Sequence, residues 1–135
     1  MTPELKVRVS LDAKVSPSED PAKVAAAILN MTGESPGHLE RSGSEVRYVS
    51  EGTESLVHLR DQLRDRRVRA AARRLLTDAR QGNLSELMLN RQAAAVGVIA
   101  LCSSQDESPL GPIFLRIQSD QLEEVIEWLT AYEGG

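Results

Sequence analysis

The feature that most constrains the fold is a strict alternation of apolar and polar residues near the start of the chain, over residues 6–15. Its apolar members are Val7, Val9, Leu11, Ala13 and Val15. Side chains of a β-strand point alternately to its two faces, so this pattern predicts a strand with one buried side and one solvent-facing side. A sheet built on such a strand needs a covering layer on one face only.

Helix and strand patterns then follow one another along the chain. Asp20-Pro21 predicts the start of a helix over about 21–31, because aspartate caps a helix and proline suits its first position. Further strands are expected at 45–50, 84–90, 96–102 and 113–119, and the loop over 32–44 is considered for a short additional strand around 38–41. A helical region is expected over 54–80 and a final helix after residue 120. Asp120 and Glu123 have the spacing of a capping box for that last helix.

Strands that succeed one another without intervening helices favour antiparallel pairing. We therefore expect an α+β fold, with a largely antiparallel sheet of about five strands and helices packed on one face, as a two-layer sandwich. The 135 residues are predicted to form a single domain, 1–135, because that length is typical of one hydrophobic core. The second face of the sheet is then open to solvent or to a partner.

The helical region 54–80 contains two apolar stripes that do not align. With about 100° per residue and Leu56 as the origin, Leu59 and Leu63 lie at about 300° and 340°. A second set of apolar residues lies at about 120°, 60°, 160°, 100° and 140°, namely Val68, Ala71, Ala72, Leu75 and Ala79. One straight helix cannot bury both stripes against one sheet, so a break is predicted near Arg64–Arg67.

Several classes of protein are disfavoured by composition. No apolar run approaches the roughly 20 residues of a membrane span, and residues 1–10 do not resemble an export signal, so a cytoplasmic location is expected. Cys102 is the only cysteine, which excludes an internal disulfide. One cysteine and two histidines also make a metal site unfavoured. Nucleotide-binding and hydrolase motifs do not occur, so we expect no cofactor and no catalytic residues.

Charge is unevenly distributed along the chain. The net charge is −4, but residues 60–80 contain eight arginines and three aspartates, a local net charge of +5 that leaves −9 for the rest. The arginines are Arg60, Arg64, Arg66, Arg67, Arg69, Arg73, Arg74 and Arg80. This segregation is compatible with an anionic partner at one place on the surface.

Part of this arginine segment forms a stripe opposite the apolar face of the second helical piece. The stripe consists of Arg66, Arg69, Arg73 and Arg80, flanked by Arg67 and Arg74. Arginines on one helix face can contact several backbone phosphates, which predicts RNA binding. Structured or double-stranded RNA fits better than single strands, because no aromatic residue lies in the segment. The alternative is a solvated face whose arginines pair with Asp65, Asp78 or the acidic final helix.

A second candidate group follows the strand predicted at 84–90. Asn90, Arg91 and Gln92 place three hydrogen-bonding side chains in succession, where they could contact RNA. The same side chains could instead cap a local turn.

Several motifs together resemble a small family of uncharacterised archaeal proteins. They are Leu89-Asn90-Arg91-Gln92-Ala93-Ala94, Val96-Gly97, Ser108-Pro109-Leu110-Gly111-Pro112-Ile113 and Ile126-Glu127-Trp128-Leu129. The N-terminal strand, the Pro17–Pro21 stretch and the Arg66–Leu75 segment are similar too. The resemblance implies RNA binding without catalysis, a link to the archaeal exosome, and a fold like the 5S-RNA-associated ribosomal protein.

Three functions remain open at this level. The leading hypothesis is a non-catalytic RNA-binding protein that contacts the phosphates of structured RNA through its arginine-rich helix. The alternative is a protein–protein adaptor or homodimer that uses the open sheet face or the arginine helix. The third is an enzyme for a phosphorylated small molecule, which requires a pocket that joins the arginines to carboxylates.

Overall fold

The computed structural model describes residues 5–33, 35–63 and 65–131, apart from the side chain of Arg66. Within this part of the chain the strands are β1 (Arg8–Lys14), β2 (His38–Arg41), β3 (Glu45–Glu51), β4 (Leu84–Leu89), β5 (Leu101–Cys102) and β6 (Ile113–Gln118). The helices are α1 (Pro21–Thr32), α2 (Glu54–Gln62), α3 (Arg66–Asp78), α4 (Arg91–Ala95) and α5 (Leu122–Thr130). A short 3₁₀ turn occupies Gln105–Glu107.

The strands form one sheet in the order β2-β3-β1-β6-β4-β5, and every neighbouring pair is antiparallel. β1 lies between β3 and β6, where Leu11 is opposite Tyr48 on one side and Leu115 on the other. The described residues thus contain six strands where about five were expected, and the α+β class with an antiparallel sheet is confirmed.

The two faces of the sheet have opposite character. Val9, Leu11 and Ala13 of β1 are buried, whereas Arg8 and Lys14 are exposed, as the alternation of the sequence predicts. The helices contact the buried face, with α1 against β1 and β3 and α3 against β4. This arrangement is consistent with a two-layer sandwich whose second sheet face has no helix over it in the described part of the chain.

The ends of α1 follow from its sequence. The Asp20 carboxylate accepts a hydrogen bond from the Ala22 backbone N–H at 2.9 Å, and Pro21 occupies the first helical position. Gly33 ends the helix with a left-handed φ of 64°, a conformation that glycine adopts at little cost. The helix predicted over 21–31 is therefore confirmed.

The predicted break in the long helical region is also confirmed. α2 ends at Gln62, because the ψ of 44° at Leu63 leaves the helical range, and α3 begins after Asp65, which is extended. The Asp65 carboxylate accepts a hydrogen bond from the Arg67 backbone N–H at 2.8 Å and so caps α3. The two helices bury their apolar residues in the same core, with Leu56 on α2 and Ala72 on α3 nearly inaccessible.

The strand predicted over 96–102 is wrong for most of its length. Residues 91–95 form the short helix α4, a loop follows, and only Leu101–Cys102 pair with β4. The apolar run favoured a strand, but Val96 and Val98 are exposed rather than buried.

Cys102 is buried, as is usual for a packed thiol. Its burial, with a smaller contribution from the charge of Glu107, raises the pKa of the thiol.

Two predicted helix ends also differ from the structure. Gln121, not Asp120, precedes α5, and Asp120 instead accepts a hydrogen bond from Asn83 at 3.3 Å. α3 ends at Asp78, two residues before the expected end of the helical region at 80. Asp120 thus binds the turn before β4 instead of capping α5.

Candidate nucleic-acid interface

The candidate interface is the outer side of α3. Its inner side packs against α5 and β4, where Ala72 and Leu76 have no accessible surface. The Ser85 hydroxyl of β4 donates a hydrogen bond to the Leu76 carbonyl oxygen at 2.5 Å, which ties the helix to the sheet. The opposite side of α3 carries arginines, in agreement with the amphipathic pattern of its sequence.

Arg67 and Arg74 are the arginines of α3 that project most freely. Both are exposed, and among the described residues neither side chain has a hydrogen-bond or ion-pair partner. They are seven residues apart, so they lie on nearly the same side of the helix and about 10 Å apart along its axis. Two guanidinium groups are thus available to an external anion.

Arg73 belongs to the predicted stripe but contacts α5. Its Nη2 lies 2.9 Å from a carboxylate oxygen of Glu127, and its Nε donates a hydrogen bond to the Thr130 hydroxyl at 3.0 Å. The side chain is still 45% exposed. The pairing with the acidic final helix, weighed as an alternative for the whole stripe, therefore holds for Arg73.

The other members of the stripe lie in mixed surroundings. Arg69 is partly buried, and its Nη1 donates to the Leu63 carbonyl oxygen at 3.4 Å. Arg80 lies beyond the end of α3, is exposed, and donates from Nε to the Gly82 carbonyl oxygen at 3.2 Å. The side chain of Arg66 lies outside the described residues. Some arginines of the stripe therefore contact other parts of the fold, as Arg69 and Arg73 do, whereas Arg80 is exposed.

Asn90 and Arg91 have structural contacts at α4. The Asn90 carboxamide oxygen accepts a hydrogen bond from the Ala93 backbone N–H at 2.9 Å and caps this helix. Arg91 is buried, and its Nη1 donates to the Lys14 carbonyl oxygen and to the Glu19 carboxylate, both at 2.7 Å. Gln92 is exposed. The local capping role considered for this group is therefore observed for Asn90.

The Arg91–Glu19 pair is almost removed from water, with side-chain exposures of 6% and 12%. Burial alone would raise the pKa of Glu19. The hydrogen bond from the Ser16 backbone and the hydrogen bonds and charge of Arg91 outweigh it and lower the pKa below its ordinary value. Nε and Nη2 of Arg91 are buried without a partner in the described residues. The pair joins α4 to the loop before α1, across 72 positions of sequence.

Arginines on the open sheet face are paired with carboxylates. Arg116 of β6 contacts Asp12 on one neighbouring strand and Glu86 on the other, and its guanidinium also lies over the Phe114 ring. Burial raises the pKa of Asp12, although the charge of Arg116 acts in the opposite direction. On β1 and β3, Arg8 lies 3.8 Å from Glu51, and Arg47 lies 4.0 Å from Glu45. Attraction of a polyanion to this face is weak because the charges cancel locally.

A groove at the end of the sheet and a neighbouring pocket were tested as small-molecule sites. The groove has a volume of about 920 Å³, and the charged residues that line it are Lys6, Arg8, Glu51 and Asp120. The pocket, about 580 Å³, joins Arg80 to the carboxylates Asp120, Glu123, Glu124 and Glu127. One arginine among four carboxylates repels a phosphorylated ligand, so the geometry does not favour the enzyme hypothesis. Among the described residues no cluster of histidine, cysteine and carboxylate side chains could hold a metal ion.

The fold and the surface together define an open-faced antiparallel α+β protein with a cationic helix on the covered side of its sheet. A family model described as RNA binding matches residues 8–119. The chain belongs to the UPF0201 family of archaeal proteins. No helix in the described residues is long and apolar enough to cross a membrane.

Relatives and solved structures agree with this assignment. UPF0201 proteins of Sulfurisphaera tokodaii and Sulfolobus acidocaldarius are 39% and 38% identical over 125 residues, which are 91% of this chain and 86% of theirs. The crystal structure of a UPF0201 protein from Methanococcus jannaschii has a TM-score of 0.74 at 28% identity and covers 95% of this chain and 96% of its own. A second UPF0201 crystal structure, at 23% identity and a TM-score of 0.75, supports the fold. These relatives' names state no enzymatic activity.

Proposed function

We propose that this protein binds structured RNA, without catalysis, through the outer side of α3. The observation that carries the proposal is the pair of exposed guanidinium groups of Arg67 and Arg74, which no described carboxylate neutralises. The description of the family model, RNA binding, supports the same function. A whole-chain charge of −4 confines favourable contact with a polyanion to this surface.

The spacing of the two groups suits a nucleic-acid backbone. One strand of duplex DNA carries a phosphate about every 3.4 Å along the axis, and one strand of an A-form RNA duplex carries its phosphates at a shorter axial spacing. The two arginines are about 10 Å apart along α3. They therefore reach separate phosphates of the same strand. Each guanidinium can donate two parallel hydrogen bonds to phosphate oxygens, a geometry that lysine cannot provide.

The remaining predicted contacts have graded roles in this proposal. Arg80 extends the cationic surface past the end of α3, and Arg66 and Arg69 belong to its first turn. Arg73 contributes less, because Glu127 already offsets its charge. Gln92 is an exposed polar contact, whereas Asn90 and Arg91 support α4.

The experiment replaces Arg67 and Arg74 with glutamine, which removes both charges and keeps good helix formers. For an RNA hairpin with a duplex stem, the plot of log affinity against log salt concentration should lose up to about two units of slope. Titrations at several salt concentrations, followed by fluorescence anisotropy, measure the slope.

The matched control is Arg8→Gln with Arg47→Gln, which also removes two exposed arginines but takes them from pairs on the open sheet face. This variant should bind the hairpin like the wild type. Equal losses in the two variants would show that total charge, not α3, governs binding. Absence of any salt-dependent affinity in the wild type would refute RNA binding by this protein.

A protein partner is the second candidate function, and the uncovered open sheet face favours it. In this alternative the protein is a cytoplasmic, single-domain adaptor or homodimer, and the exosome-related proteins that the family resemblance implies are its candidate partners. Light scattering reports the oligomeric state. Capture of native partners with and without nuclease separates direct protein contacts from contacts made through RNA: partners that survive nuclease favour the adaptor, and partners that disappear favour RNA binding.

A further inference from the structure

Three stretches that the proposed function does not use meet at the side chain of Arg91. Glu19 lies in the loop before α1, Arg91 is the first residue of α4, and the turn over residues 108–111 precedes β6. The Ser108 hydroxyl accepts a hydrogen bond from the Arg91 backbone N–H at 3.1 Å and donates one to the Gly111 carbonyl oxygen at 3.1 Å. Distant parts of the chain therefore enclose one guanidinium group.

Only one side of this guanidinium group is hydrogen-bonded. Nη1 donates to the Lys14 carbonyl oxygen and to the Glu19 carboxylate, so both hydrogens of Nη1 are used. Nε and Nη2 are buried and have no hydrogen-bond partner among the described residues, and the whole side chain is only 6% exposed. Buried donors of a charged group are costly to leave unpaired. The edge formed by Nε and Nη2 therefore needs an acceptor that the described part of the fold does not supply.

The turn over residues 108–111 leaves room beside this edge. Gly111 has a left-handed φ of 92°. A Cβ atom built on it would lie 3.9 Å from Nη2 of Arg91 and, apart from its chain neighbours, would meet no other atom within 4 Å. Leu110 is the one non-glycine residue with a positive φ in the described ranges, at 68°, and its side chain is 56% exposed. An exposed turn with one strained residue thus lies against the unpaired edge.

Arg116 shows, within the same molecule, what such an edge binds. Its Nη1 contacts the Asp12 carboxylate, and its Nε donates to a second carboxylate, that of Glu86, at 3.2 Å. Nη1 of Arg91 contacts Glu19 in the same way that Nη1 of Arg116 contacts Asp12. The parallel N–H bonds of Nε and Nη2 match the two oxygens of one carboxylate. Arg91 therefore has the donors for a second carboxylate, and the described residues provide only the first.

We propose that the Nε and Nη2 edge of Arg91 binds a small external carboxylate, a site that does not depend on RNA binding by α3. The carboxylate lies between this edge and Gly111, and it accepts one hydrogen bond from Nε and one from Nη2. The turn over residues 108–111 opens to admit it, and Leu110 leaves its strained conformation as the turn moves. A phosphate dianion fits less well, because Glu19 beside the same guanidinium group repels its second charge.

The test titrates the protein with acetate and follows the Nε–H signal of Arg91 by nuclear magnetic resonance. Acetate should shift this signal saturably and slow the exchange of its proton with water, whereas chloride at equal ionic strength should do neither. Inorganic phosphate should bind at least about tenfold more weakly than acetate. The variant that replaces Arg67 and Arg74 with glutamine should respond like the wild type, because neither residue belongs to this site.

A matched pair of glycine variants tests the room beside Nη2. Gly111→Ala fills this room and should weaken acetate binding by about tenfold or more. Gly82→Ala is the control, because Gly82 also has a left-handed φ, 60°, and a Cβ atom there would meet nothing within 4 Å. Both variants place alanine in the same kind of strained conformation, but Gly82→Ala should keep the wild-type acetate affinity.

A third variant tests the donors themselves. Arg91→Lys keeps the positive charge beside Glu19 but lacks the paired donors, so it should lose the rise in melting temperature that acetate gives the wild type. Circular dichroism confirms that each variant is folded. The Nε–H signal of the wild type decides the question even where a variant fails to fold.

Several results would overturn the carboxylate site. One is the absence of a saturable acetate response in the wild type, and another is an equal response to chloride, which would make it a general effect of ions. Equal acetate affinity in Gly111→Ala and the wild type would place acetate elsewhere on the protein. A long-lived water molecule at Nε–H that acetate does not displace would show that water satisfies this edge instead.

Discussion

The arginines of the open sheet face and those of α3 have the same chemistry but different neighbours. On the sheet, Arg116 lies between Asp12 and Glu86. On α3, Arg67 and Arg74 have no carboxylate partner in the described residues. When an internal carboxylate offsets the charge of a guanidinium group, that group attracts an external phosphate only weakly. We propose that pairing, more than the number of arginines, determines where a polyanion can bind.

The largest expected effect concerns the most deeply paired arginine. Replacing Glu19 with glutamine leaves the buried charge of Arg91 uncompensated, which should lower the free energy of unfolding by on the order of 3 kcal/mol at neutral pH. Urea denaturation measures this loss. Because the folded-state pKa of Glu19 is lowered, its contribution is present above its ordinary pKa and disappears as the pH falls through the folded value.

The difference in stability between the wild type and the Glu19 variant should therefore shrink in acid. Glu124→Gln is the matched control, because Glu124 is exposed on α5, and it should change stability by less than about 0.5 kcal/mol. Equal stability of the Glu19 variant and the wild type at neutral pH would show that the buried pair contributes nothing net to the fold.

The next prediction removes the carboxylate partners from an arginine on the open sheet face, so that this arginine becomes unpaired like Arg67 and Arg74 on α3. Asp12→Asn combined with Glu86→Gln removes both carboxylates that contact Arg116 and leaves its charge exposed on the sheet face. Affinity for the RNA hairpin at low salt should rise by up to about tenfold, with a steeper salt slope. If affinity does not change, the rule that pairing controls binding fails for this face.

The contribution of Asp12 to the stability of the fold should change with pH. The folded-state pKa of Asp12 is raised by burial, so its contribution to stability is present below its ordinary pKa and is lost as the pH rises through the folded value. Asp12→Asn alone should thus show no loss of stability from the missing charge at neutral pH. Chemical denaturation at neutral and acidic pH checks this, and a large loss at neutral pH would contradict it.

A smaller effect on stability and on RNA binding is expected at Arg73, because this residue of α3 is exposed and yet paired with a carboxylate. Arg73→Ala removes its contacts with Glu127 and Thr130 and should lower the free energy of unfolding by about 1 kcal/mol. Its effect on the RNA salt slope should be smaller than that of Arg74→Ala on the same helix. A larger effect at Arg73 would mean that RNA displaces Glu127, and anisotropy titrations decide between the two results.

The smallest effect is expected at the exposed pair on β3. Arg47 and Glu45 are 4.0 Å apart and both are substantially exposed, so solvent screens their attraction. Arg47→Gln should change the melting temperature by no more than a few degrees and should leave RNA affinity unaltered. A fall in RNA affinity would place the sheet face in the binding surface and would weaken the comparison.

Local periodicity was sufficient to predict much of the fold. The alternation in β1 required one buried face, and the angular offset between Leu56 and Val68 required two helices. Periodicity failed at residues 96–102, where the apolar composition favoured a strand, and it did not predict the helix α4 just before them. α4 has five residues, too few to show a helical stripe, and the valines that follow are exposed.

The candidate site was less predictable than the fold, because its charges depend on distant partners. Glu19 and Arg91 are 72 positions apart, and Arg73 contacts residues of α5 more than fifty positions later. No local pattern indicates which arginine will be offset in this way. Sequence reasoning could identify the cationic segment and name the acidic last helix as a partner, but only the fold assigns the contact to Arg73.

The position of β6 affects how the chain folds during its synthesis. β6 is the last strand to be made, yet it lies between β1 and β4 near the middle of the sheet. Until residues 113–118 have left the ribosome, β2, β3 and β1 can pair on one side and β4 and β5 on the other, with no strand of the sheet between them. We expect nascent chains that stop before residue 113 to remain protease-sensitive, and protection to appear in one step when β6 arrives.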